Sequence, residues 1–159
     1  MFNHGLSTAA LFLVAGFLIK RHGSASIRDY AGVEKAAPLL AGFLLISGLA
    51  VLSLPGLSPF VSEFLVIVGA FAYSPWAGAF AVTGIVLAAI YVLLAYQRTM
   101  TGPLREDNAG ITDLNLREKV AVVPVLVLMV FLGLFPKPLA DMLNPSTDHS
   151  LVQVEGSAK

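Results

Sequence analysis

Between Ala36 and Gln97 the chain carries one charged side chain, Glu63. Residues 1–19 and 120–136 carry none. Apolar runs of about 17–25 residues are long enough to cross the hydrocarbon core of a bilayer as helices. Composition agrees with that reading. Of 159 residues, 57% are hydrophobic and 13% charged, and the mean hydropathy is +0.81. A soluble domain carries about twice that charge, so both an ordinary soluble fold and intrinsic disorder are excluded. Ten Lys and Arg balance ten Asp and Glu, which leaves no net basic surface for nucleic acid. The absence of Cys excludes disulfides, thiolate zinc sites and iron–sulfur ligation by this chain.

The charge pattern predicts an all-α polytopic membrane protein. Its membrane domain is expected over 1–143, with spans at about 1–19, 37–73, 76–97 and 120–135, and a polar tail over 144–159. The first segment lacks the basic leader of a secretory signal and is followed by further spans. The second stretch is too long for one straight span. As a single helix it would reach about 55 Å, against a core of about 30 Å. Pro55, Gly56 and Pro59 lie in its middle, where Pro removes an N–H and Gly frees the backbone. The stretch is therefore either two spans joined by a tight Pro-Gly turn or one long discontinuous helix broken near 55–59. If it crosses once, Lys20, Arg21, Arg28 and Lys35 share a face with Arg98, Arg105, Arg117 and Lys119. The positive-inside rule then gives four crossings, with the basic loops cytoplasmic and both ends outside.

Glu63 is the leading candidate for chemistry. A carboxylate at the centre of a span costs about 2.5–3.5 kcal/mol, so it is expected to face a bundle interior or a wet cavity. A poorly hydrated carboxyl favours its neutral form, which suits reversible protonation. His4 is the second candidate. Ser7 and Thr8 follow at helical spacing, a polar stripe able to relay protons. Ser47, Ser53 and Thr83 are expected to hydrogen-bond between helices, and Gly42, Gly48, Gly69 and Gly84 to allow close packing. Residues 113–118 read as a solvated loop feeding a helix start. No phosphate loop, dinucleotide fingerprint, zinc-protease motif or nucleophile elbow is present.

Several of these segments resemble one family. Asn3-His4-Gly5-Leu6-Ser7, Leu54-Pro55-Gly56, Phe60-Val61-Ser62-Glu63-Phe64-Leu65, Asp113-Leu114-Asn115-Leu116-Arg117-Glu118 and Leu132-Gly133-Leu134-Phe135-Pro136 stand in the order found in the antiporter-like subunits of respiratory complex I. Glu at position 63, where related branches carry Lys, resembles the M-type branch (mitochondrial subunit 4 type). The resemblance implies a segment of the proton-translocating arm of an NADH:quinone oxidoreductase in the bacterial inner membrane. Glu63 would carry protons and His4 would relay them, with Pro55, Gly56 and Pro59 shaping the break. No cofactor would bind this chain, because NADH, FMN, iron–sulfur clusters and quinone belong to other subunits. Partners would be other complex I membrane subunits, lipid and protons. Only the last four of the family's roughly fourteen spans are matched, which implies a C-terminal part that is inactive alone. Many relatives have Gly where Ser62 stands, and Gly or Asn rather than Pro59. Alternatives are a membrane subunit of a related hydrogenase or multisubunit cation/proton antiporter, and a small structural four-helix membrane protein.

Overall fold

A computed structural model describes residues 2–142 and 147, so the tail assigned to 144–159 lies outside the described residues except for that one position. The described part is helical, without strands: α1 (Phe2–His22), α2 (Pro38–Val51), α3 (Ser58–Tyr73), α4 (Pro75–Met100) and α5 (Leu116–Leu134). Residues 137–142 are helical again beyond Pro136. Each start has a local cause. Pro occupies the first turn of α2, α3 and α4, where its missing N–H has no helical partner to lose. Asn115 and Glu118 form a reciprocal capping box on α5, with bonds of 2.9 and 3.0 Å. Helix α1 ends on Lys20, Arg21 and His22, and the Lys20 and Arg21 charges complement the carbonyl end of the helix.

Among the described residues two helices, α1 and α4, are long and apolar enough to cross a membrane by length and composition. Helices α2 and α3 are shorter, and α5 opens on Arg117, Glu118 and Lys119. Helix α1 packs against α2 and α5, and α3 packs against α4 and α5. The α1 stripe Asn3, Ser7, Ala10, Val14 and Leu18 is buried. It joins a core with Leu40, Ala41, Ala50, Val122, Leu126 and Met129. Only 6% of the apolar window of α4 is buried, and Phe80, Leu87 and Tyr91 stand exposed.

The two long connections zip together at one end of the bundle. The Gly32 N–H donates to the Thr101 carbonyl at 3.1 Å, and the Asn108 amide donates to the Ala31 carbonyl at 3.1 Å. The Arg105 guanidinium donates to the Arg28 carbonyl at 2.8 Å. Gly32 is required twice over. Its φ is +65°, and a Cβ there would lie 2.6 Å from the Leu104 amide nitrogen. Gly32→Ala is therefore expected to cost about 2 kcal/mol or more, through backbone strain plus overlap with atoms that cannot swing away. Gly23→Ala is the control, since its φ is +82° but its surroundings are open. Thermal unfolding in detergent should separate them, with Gly32→Ala showing the larger drop. Equal drops would refute the close-approach account.

Candidate functional site

Helical hydrogen bonding stops after Val51 and resumes at Ser58. Leu54 and Leu57 make short turn bonds, to the Leu49 and Leu54 carbonyls. The carbonyls of Leu52, Ser53, Pro55 and Gly56 accept no hydrogen bond from any described residue. Two residues in the segment take left-handed backbone, Gly56 at φ +94° and Ser53 at φ +55°. For Ser53 that conformation costs on the order of 1 kcal/mol, so the surrounding structure must hold it. Pro55 and Gly56 lie in this interruption. Pro59 stands in the first turn of α3, where Pro is well accommodated, and begins the second helix instead of ending the first.

Glu63 sits just over a turn into α3 and is half-buried. It lines a cleft of about 230 Å³ with Leu52 and Ser53 from the interruption, Phe60, Phe64 and Ile67 from α3, and Ile85 from α4. Phe60 and Phe64 stack at 5.8 Å on the same wall. No other group lining the cleft is charged, and no described residue donates a hydrogen bond to the Glu63 carboxylate.

The α1 stripe is divided. His4 is exposed, and Thr8 Oγ1 approaches its Nδ1 at 3.4 Å. Ser7 is buried on the core face, and its hydroxyl donates to the His4 carbonyl at 3.0 Å. His4 and Thr8 are thus brought together, while Ser7 turns away from them. The hydrogen bonds between helices expected of Ser47, Ser53 and Thr83 are not made. Thr83 donates to the Phe80 carbonyl of its own helix at 2.7 Å. The Ser47 and Ser53 hydroxyls are buried without a partner, as are Ser58 Oγ and Asn3 Oδ1. Ser53 lies in the interruption, and Ser47 and Ser58 stand on either side of it. Asn3 and Ser58 escaped the sequence reading. Their signal was a polar residue on an otherwise apolar helix face, which is weak on its own.

Residues 113–118 lead into the start of α5, as the sequence predicts, and residues 115–117 are exposed, but Asp113 is partly buried and Leu114 buried, so the segment is a junction as well as a solvated loop. Asp113 accepts from the Leu39 and Leu40 N–H groups at 3.0 and 2.9 Å and from Leu114 N–H at 2.8 Å. It therefore caps α2 from far along the chain. Arg21 at the end of α1 pairs with Glu118 and donates to the carbonyls of Thr112, Asp113 and Phe17 at 2.8, 3.3 and 2.9 Å.

A family model described as "NADH:quinone oxidoreductase/Mrp antiporter, TM" matches residues 1–88. NADH-quinone oxidoreductase subunit M of Mycobacterium tuberculosis is 53% identical over 97% of this chain and 28% of its own length. Subunit M of Rhodobacter capsulatus is 36% identical over 96% of the chain and 30% of that protein. NADH-ubiquinone oxidoreductase chain 4 of Arabidopsis thaliana is 38% identical over 96% of the chain and 31% of that protein. The chain thus spans about three tenths of the length of these relatives.

Proposed function

Because the chain belongs to the NADH:quinone oxidoreductase/Mrp antiporter transmembrane family, we propose that it is the C-terminal part of an M-type subunit in the proton-translocating arm of an NADH:quinone oxidoreductase. In this reading α2, residues 52–57 and α3 make one crossing, so the chain crosses four times. The basic loops face the cytoplasm, as the positive-inside rule favours, and both ends lie outside. The observation that carries the reading is Glu63, the lone charge of a long apolar stretch, opening on an apolar cleft beside unpaired backbone carbonyls. Such carbonyls and the hydroxyls of Ser47, Ser53 and Ser58 supply acceptors and donors for water beside the carboxyl.

Glu63 takes a proton from one side of this polar seam and releases it to the other. His4 serves as a relay on α1, with Thr8 orienting its ring. In this reading NADH oxidation and quinone reduction occur on other subunits, which carry the FMN and iron–sulfur clusters, and these 159 residues offer no thiolate to a cluster. The exposed apolar faces of α3 and α4 are covered by lipid and by neighbouring membrane subunits.

Complementation tests the assignment. In cells lacking the subunit, a full-length copy should restore NADH-driven acidification of inverted membrane vesicles. The 159 residues alone should restore none, and should leave liposomes loaded with a pH dye proton-tight. Proton flux through the chain by itself would refute the reading of it as one part of a longer path.

A further inference from the structure

We propose that α5 and the segment leading into it act as a splint for the interrupted helix, and that Asp113 and Gly133 are positioning residues for Glu63. The inference rests on the reading of Glu63 as the proton carrier. Two contacts at opposite ends of one helix carry it. At the leading end, both Asp113 carboxylate oxygens accept the first free N–H groups of α2, at 2.9 and 3.0 Å. Arg21 grips the Thr112 and Asp113 carbonyls, so Asp113 cannot drift with its loop. At the other end Gly133 meets the interruption. A Cβ there would lie 2.3 Å from the Gly56 carbonyl oxygen and 2.6 Å from the Leu57 carbonyl carbon. That approach is possible for Gly alone.

The lengths match. The 19 residues of α5 span about 28 Å and the 14 residues of α2 about 21 Å, and residues 52–57 cover the difference. One helix and the segment before it, with Pro124 as its only internal break, therefore meet both the start of α2 and the place where it stops. Leu52 and Ser53 at that stop form one wall of the Glu63 cleft. Neither Asp113 nor Gly133 lines that cleft, so their effect on it is exerted through α2 and the interruption.

Ser58 supplies a reporter. It is fully buried at the junction, Ser→Cys is nearly isosteric, and these 159 residues contain no Cys, so the parent enzyme without the substitution supplies the labelling background. In the full-length subunit, within the assembled enzyme in membrane vesicles, Ser58→Cys should resist a water-soluble maleimide. Adding Asp113→Asn, which removes the charge and one of the two acceptors of the α2 cap, or Gly133→Ala, which overlaps the Gly56 and Leu57 backbone, should raise its labelling rate about tenfold. Both variants should lower proton pumping while the enzyme still assembles. Asp113→Glu should recover protection and pumping together. Unchanged protection of Ser58→Cys in both variants would overturn the splint, as would Asp113→Glu behaving like Asp113→Asn. The labelling readout does not depend on proton transfer. If Glu63→Gln pumped normally, the carrier assignment would fall, while the labelling result would still decide whether α5 holds the interruption.

Discussion

Glu63→Gln should lower NADH-driven proton pumping through this subunit by roughly a hundredfold, the usual scale for losing a positioned proton donor and acceptor. Gln has nearly the shape of Glu and fills the same space beside Phe60, Phe64 and Ile85. It cannot ionise, so it separates the chemistry of the site from its packing. Stability should hold or rise, because a charge is removed from a setting where it costs about 2.5–3.5 kcal/mol and has no partner among the described residues. Glu63→Asp keeps the acid but withdraws it by one methylene, and should retain part of the activity. The measurement is acidification of inverted vesicles on adding NADH, with NADH oxidation by an artificial acceptor as the control for assembly. Wild-type pumping by Glu63→Gln would remove Glu63 from the proton path. The same variant separates a transport protein from a purely structural one, in which a Glu at that position is replaceable without loss.

Glu63 and the interruption were legible because each violates its surroundings. One charge in a long apolar stretch is visible without any structure, and Pro55-Gly56 inside a run too long for one span locates the stop to within a few residues. The capping by Asp113 was not legible. Its partners, Leu39 and Leu40, lie more than seventy positions earlier, so a motif scan sees only a polar turn before a helix. Gly133 was hidden for a different reason. A Gly in an apolar helix looks like any other until the backbone that presses on it is known. Gly42, Gly69 and Gly84 carry the same sequence signal, yet a Cβ at each would meet open space. Gly48 alone of the four singled out has a close neighbour, Val92 Cγ1 at 3.2 Å. The polar stripe on α1 was read from spacing, which put Ser7 and Thr8 on one face with His4. The helix turns Ser7 inward with Asn3 and leaves His4 outside, a division that depends on where α2 and α5 pack.

Arg21→Ala should be the most destabilising single change at the loop end of the bundle, by about 3 kcal/mol, because it leaves the Glu118 carboxylate largely buried without its cation. Both side chains are 12% exposed, so solvent screens the pair little. The variant also strips hydrogen bonds from the Thr112 and Asp113 carbonyls, loosening the cap on α2. The pH dependence has a definite sign. The Arg21 hydrogen bond is the largest influence on Glu118 and, with the Asn115 N–H and the Arg21 and Lys20 charges, outweighs burial to hold the carboxyl below its usual range. Burial pushes Asp113 upward, but the N–H groups of Leu39, Leu114 and Leu40 with Lys119 bring it below its usual range as well. Both groups precede the span over 120–135. A folded chain that holds these carboxyls ionised binds fewer protons than the unfolded chain in acid. The stability they contribute is therefore complete above the ordinary carboxylate pKa of about 4.5 and is lost as pH falls through the lowered folded values. Thermal unfolding in detergent at neutral pH and in acid should show the wild type losing stability between the two. In Arg21→Ala the principal cause of the Glu118 shift is gone, so its loss over the same interval should be smaller and its deficit should narrow in acid. A deficit that stays constant with pH would assign the damage to lost packing and carbonyl contacts, and would take Glu118 out of the explanation.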